Sequence, residues 1–154
     1  MCFIACSEKP ARMMSDDTIR LRFETYRPQL EALVRMMEAD EEVLFVCRET
    51  FRERGDSLEH QMERVGNRRV ESYRELLRKA EVDFITREAD GRIYLRLDHR
   101  DDLYGYCSKG LVYTRQQVET TDRELQEEDF DEAAVQQGLY RPLVSFWYLY
   151  LAQI

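Results

Sequence analysis

The closing stretch of the chain, RPLVSFWYLYLAQI from Arg141 to Ile154, constrains the fold more than any other. Read with a strand's alternation, one side carries Leu143, Ser145, Trp147, Leu149 and Leu151, and the other Val144, Phe146, Tyr148, Tyr150 and Ala152. Both sides are largely apolar, which predicts a strand covered on both faces and placed centrally in a sheet. A buried helix is the rival. The strand is preferred because aromatics suit a pleated surface and Pro142 stands at the entrance, where no ladder donor is needed.

The remaining segments divide into helices first and strands later. Ile19, Leu21 and Phe23 alternate like a short strand, but Ile19, Phe23, Tyr26 and Leu30 also share a helical face, and Ser15-Asp16-Asp17 offers N-cap chemistry. Pro28 is comfortable in a first helical turn, so a firm helix starts near it and runs to Ala39, with Leu30, Leu33, Val34 and Met37 inward. In Glu41–Arg54 the run VLFVC reads as strand or helix. Flanking Glu and Arg, with no Gly or Pro before Gly55, favour helix. Asp56-Ser57 caps a short helix to Val65, and Asn67 caps the next, Arg68–Ala80, with Val70, Tyr73, Leu76 and Leu77 inward. Over Val82–Asp98, VDFITRE and RIYLRLD flank Ala89-Asp90-Gly91 as a hairpin. Asp101–Gly105 reads as a loop, and Lys109-Gly110 as a turn between two strand ends. The expected fold is α+β: a helical N-terminal half, then a three- or four-stranded antiparallel sheet around a central C-terminal strand, with 1–15 a flexible tail or signal remnant and 16–154 a single domain.

Charge narrows the function classes. A net charge of −8 argues against direct nucleic-acid binding, which needs clustered Lys and Arg. The acids are concentrated between Gln116 and Gly138. There Glu119, Asp122, Glu124, Glu127, Glu128, Asp129, Asp131 and Glu132 face only Arg123, a local charge of −7. The ordinary account is a solvated, mobile excursion before the last strand. The functional account is an acidic docking surface for a basic protein, with Phe130 as anchor, fast in association and sensitive to salt.

Other motifs are weaker. Asp98-His99-Arg100-Asp101-Asp102 sets a histidine among carboxylates, but without a partner motif it reads as an exposed loop leaving the hairpin. Ser108-Lys109-Gly110 has the spacing of neither a phosphate loop nor a nucleophile elbow. The helix, Gly66-Asn67, helix order resembles a helix-turn-helix, yet Glu71 and Glu75 lie within reach of Arg78 and Lys79, which fits a salt-bridged solvent face. Cys2, Cys6, Cys47 and Cys107 fit neither a zinc pattern nor a disulfide scaffold, and Cys47 and Cys107 read as small buried thiols. No cofactor or metal is expected, and no apolar run approaches the roughly 18 residues that span a bilayer. As written, the chain reads as cytoplasmic. Phe3-Ile4-Ala5-Cys6-Ser7 also resembles the end of a bacterial lipoprotein signal; were the true start upstream, Cys6 would be lipidated at the envelope. Translation starting at Met13 or Met14 is a further alternative.

KGLVY (Lys109–Tyr113) followed by YRPLVSFWYLY (Tyr140–Tyr150) resembles a pattern in a family of small bacterial proteins without an assigned activity. In that family a helical segment like FETYRPQLEALVRMMEAD (Phe23–Asp40) precedes the sheet, and some members begin with lipoprotein-type signals. The resemblance implies the order of the fold and brings no catalytic residue with it. Three functions follow as expectations: first a non-enzymatic binding protein of inhibitor or immunity type using the acidic surface; second an envelope-associated accessory lipoprotein; third a small-molecule sensor or enzyme with a pocket lined by Tyr104, Tyr106, Tyr113 and His99.

Overall fold

A computed structural model describes residues 12–48, 66–102, 105–126, 129 and 138–153. Among them are two helices, α1 (Asp16–Ala39) and α2 (Asn67–Lys79), and six strands: β1 (Phe45–Cys47), β2 (Phe84–Arg87), β3 (Ile93–Asp102), β4 (Gly105–Tyr113), β5 (Leu139–Val144) and β6 (Trp147–Gln153). The strands form one antiparallel sheet in the order β1-β2-β3-β4-β6-β5. The α+β class holds, but the sheet has six strands rather than three or four, and β1 lies between the two helices rather than after them.

Helix α1 starts where Ser15 caps it, its Oγ accepting from the Thr18 amide at 3.2 Å. Pro28 lies inside this helix rather than at its start. Proline has no N–H for the helical ladder and its ring crowds the preceding turn, and the backbone kinks at Tyr26 (φ −111°, ψ 16°). Ile19 and Phe23 before the kink and Leu30, Leu33, Val34 and Met37 after it are all buried against the sheet, so one apolar stripe carries the helix across the break. Helix α2 is capped by Gly66 at φ 83° without a side-chain hydrogen bond, rather than by Asn67, and buries Val70, Tyr73 and Leu77. Of the helix expected over Glu41–Arg54, the described part holds strand β1 at Phe45–Cys47 instead, and residues 49–54 lie outside the described residues; Val46 is buried in the helix-side core and the Phe45 ring packs 5.0 Å from Phe84. The helix expected from Asp56 to Val65 lies outside the described residues.

The hairpin over Val82–Asp98 forms as expected, with Gly91 at φ 87° in its turn. Its second strand runs on through Asp98–Asp102 instead of entering a loop at Asp101, and Lys109-Gly110 lies mid-strand in β4 instead of in a turn. The closing stretch divides. Leu139–Val144 is the edge strand β5, Ser145 (φ 47°) and Phe146 turn the chain, and Trp147–Gln153 is β6. β6 is therefore interior, between β4 and β5, yet one strand from the edge rather than central. It is covered on both sides as its alternation predicts: Trp147, Leu149 and Leu151 join the helix-side core, while Tyr150 is buried on the other face.

Candidate functional site

Residues 114–126 connect β4 to the far side of the sheet, and their course is fixed at several points. Val118 packs against Val112, Tyr140 and Tyr150 on the face opposite the helices. The Thr121 amide then donates to the Tyr140 carbonyl at 2.8 Å, on edge strand β5. Leu125 ends up 1% exposed in the helix-side core. This part of the acidic segment is thus a strap that passes from one sheet face to the other, and not a loose excursion. On it Glu119, Asp122 and Glu124 are exposed, and none has a cationic partner among the described residues. Asp129 is the exception: it accepts from the Gln126 amide and pairs with Arg123 at 2.9 Å. Glu127, Glu128, Phe130, Asp131 and Glu132 lie outside the described residues, as does Cys6. The contrast with α2 is direct. There Glu71 pairs with Arg74 and Arg78, and Glu75 with Lys79, giving the salt-bridged face expected of that helix.

Under the strap lies a charge cluster that the sequence did not announce. Asp16, the first residue of α1, is fully buried. Its Oδ2 accepts from the Leu125 amide at 3.0 Å and from Arg141 Nη1 at 2.8 Å. Its Oδ1 lies 2.8 Å from Nζ of Lys109, a lysine only 2% exposed, and that ammonium also donates to the Leu125 carbonyl. One carboxylate therefore joins a helix start, two strands and the strap. Burial works to raise the carboxyl pKa, but the Lys109 and Arg141 contacts and the Leu125 amide outweigh it and hold the group below its ordinary range. The helix N-terminus adds in the same direction.

Three local features let β4 present Lys109 here. A register shift between Arg96 and Asp98 in β3 brings Asp98 opposite Lys109. Asp98 in turn accepts from the Met14 amide and steers the chain into α1. Gly110 lies opposite Arg96, where a Cβ would come within 2.2 Å of the Leu95 carbonyl oxygen, so only glycine fits the close approach. A strand reading of YCSKGLVY would have set Lys109 in line with Cys107 and Leu111, and that mismatch was the available signal; the Lys-Gly pair instead read as a turn.

On the opposite face the tyrosines form a second network. Tyr94 and Tyr140 share a hydroxyl hydrogen bond of 2.7 Å, Arg92 donates to the Tyr140 hydroxyl at 2.7 Å, and Asp90 pairs with Arg92. The Tyr150 hydroxyl bonds Ser108 Oγ at 2.7 Å, and its ring meets Tyr94 edge-on at 5.0 Å. Burial pushes the Tyr94 and Tyr150 phenols well above their ordinary pKa. Ser108 is fully buried and belongs to this network.

Of the expected tyrosine and histidine pocket, only His99 and Tyr113 can be placed, and they lie on opposite faces of the sheet. His99 lies opposite Ser108 and sits 3.4 Å from the Asp83 carboxylate, whereas Tyr113 packs on Trp147 at 5.4 Å on the helix side. The side chains of Tyr104 and Tyr106 lie outside the described residues. Asp98-His99-Arg100 is strand rather than exposed loop, and no group of three His, Cys, Asp or Glu among the described residues could hold a metal ion. Cys107 is buried and Cys47 half-buried. No described helix is long and apolar enough to cross a membrane. No family model, curated protein or solved structure matches the chain.

Proposed function

We propose that the protein is a non-enzymatic binding protein of the inhibitor or immunity kind, which docks a basic protein on the carboxylates of its strap. The observation that supports this reading is the display of Glu119, Asp122 and Glu124. They stand exposed, without a cationic partner among the described residues, on a segment anchored at Val118, Thr121 and Leu125, while the acids of α2 are neutralised by their own helix. A surface that carries fixed, unneutralised charge draws an oppositely charged partner over roughly a Debye length, about 8 Å at physiological ionic strength. It gains specificity because its charges do not have to be ordered on contact.

The test is capture from the native host with the tagged full chain, at low and at high salt. A single stoichiometric basic protein that is retained at low salt and lost at high salt is expected. The triple variant Glu119→Lys, Asp122→Lys, Glu124→Lys should not retain it. Retention by the variant at low salt would overturn the reading.

A further inference from the structure

We infer that residues 114–126 form a strap that opens from the folded sheet as a unit, and that the Asp16–Lys109–Arg141 cluster is its latch. The strap has no strand ladder of its own. Besides Val118, its attachments include the Thr114 amide to the Phe146 carbonyl at 2.9 Å, Arg115 to Glu38 at 3.0 Å, Gln116 to the Asp90 carbonyl, Thr121 to the Tyr140 carbonyl, and the Leu125 peg. Leu125 is the strongest of these. Its side chain is buried in the core, its amide is held by Asp16 and its carbonyl by Lys109.

The two cations and the carboxylate depend on the strap in return. When Leu125 leaves, water reaches Asp16 and Lys109, and the charges recover hydration that they lack when closed. Opening the strap is therefore the least costly response to any defect in the cluster, because it relieves a stranded charge without separating the six strands. The arrangement also has a direction. Closed, the strap covers the edge of β5 through the Thr121–Tyr140 hydrogen bond and holds Glu119, Asp122 and Glu124 in place; open, it releases both. If a basic partner docks on the closed strap, as proposed above, binding and latching reinforce each other by linkage. The latch itself does not rest on that reading.

Amide hydrogen exchange on the full chain tests the latch without any partner. In the unmodified protein the Thr121 and Leu125 amides should exchange through an opening that leaves Leu111 in β4 and Leu149 in β6 protected. Lys109→Met removes one cation and keeps an unbranched side chain of similar length. It should speed exchange at Thr121 and Leu125 by about 100-fold, and their exchange should depend only weakly on low urea, while that of Leu111 and Leu149 carries the full urea dependence of global unfolding. A full urea dependence at Thr121 and Leu125 would show that they open only with the whole fold, and no acceleration at these two amides would show that the cluster holds nothing; either result overturns the inference. Should Lys109→Met fail to fold, Leu125→Ala withdraws the peg and keeps every charge. It should give the same acceleration at Thr121 and Leu125 with the same weak urea dependence; a full urea dependence there, or failure of this variant too, rules out a separable strap.

Discussion

Replacing Asp16 by Asn tests the energetic core of this structure. The amide side chain is nearly isosteric, so packing at the start of α1 is kept, and Ser15 still caps the helix. What changes is charge. The carboxylate is matched by Arg141 and Lys109 at 2.8 Å each and by the Leu125 amide at 3.0 Å. An amide offers one acceptor and turns an NH2 toward a cation. Two effects could follow, and their sizes separate them. Loss of the favourable interaction with the helix N-terminus costs about 0.3–1 kcal/mol. Stranding two cations in a site where Asp16 is 1% and Lys109 2% exposed at the side chain costs about 3–5 kcal/mol for a buried pair broken on one side. The lower end applies, because strap opening lets water reach them. Urea unfolding at pH 7 should therefore show a loss of about 3 kcal/mol. Acid pH supplies the control. The native Asp16 carboxyl is held below its ordinary range, so its contribution is fully present above the unfolded value of about 3.9 and is lost as pH falls from there through the lowered native value. The gap between wild type and variant should hold from pH 7 to about 5 and shrink below about 4. A loss under about 1 kcal/mol at pH 7 would leave only the helix-terminus effect and refute the buried-cluster argument.

Two further outcomes follow from backbone and burial. Gly110→Ala should cost about 3 kcal/mol or more in the same assay, because its Cβ meets the Leu95 carbonyl oxygen at 2.2 Å and the Leu97 amide nitrogen at 3.0 Å, and backbone atoms locked in a ladder cannot step aside; a loss within about 0.5 kcal/mol would mean that β3 shifts freely there. Alkaline titration followed by phenolate absorbance should leave Tyr73, Tyr94 and Tyr150 protonated past the ordinary phenol range, since burial raises all three and Tyr73 also donates to Asp40 at 2.8 Å. Raised native values mean that stability is intact below about pH 10 and falls above it, where only the unfolded chain ionises; three phenols titrating normally while the fold persists would contradict the buried network.

Much of the architecture was legible wherever one local rule acted alone. The hairpin at Val82–Asp98 combined alternation with a glycine turn, and α2 and the part of α1 after Pro28 showed apolar stripes at helical spacing. The misreadings came where two rules competed. VLFVC has the composition of a buried strand and the flanks of a helix, and pairing with β2 decided for strand. Ser145-Phe146 makes a tight turn with no Gly, Asn or Asp at its apex; the adjoining strands hold Ser145 at φ 47°, so nothing local marked the division of β5 from β6.

The candidate site divides in the same way. Sequence alone placed the acidic segment and the opposite charge balance of α2, because charge is additive along a chain and needs no fold to be counted. It also fixed the two-sided burial of Trp147–Leu151, because alternation is a property of neighbours. Only the tertiary structure decided that Asp16, Lys109, Leu125 and Arg141 meet, since they come from four separate segments and each has an ordinary local explanation: a helix start, a turn, a stray apolar residue, a solvent arginine. Whether a charge is solvated or stranded depends on what covers it, and that is set by packing across the sheet, not by its neighbours in the chain.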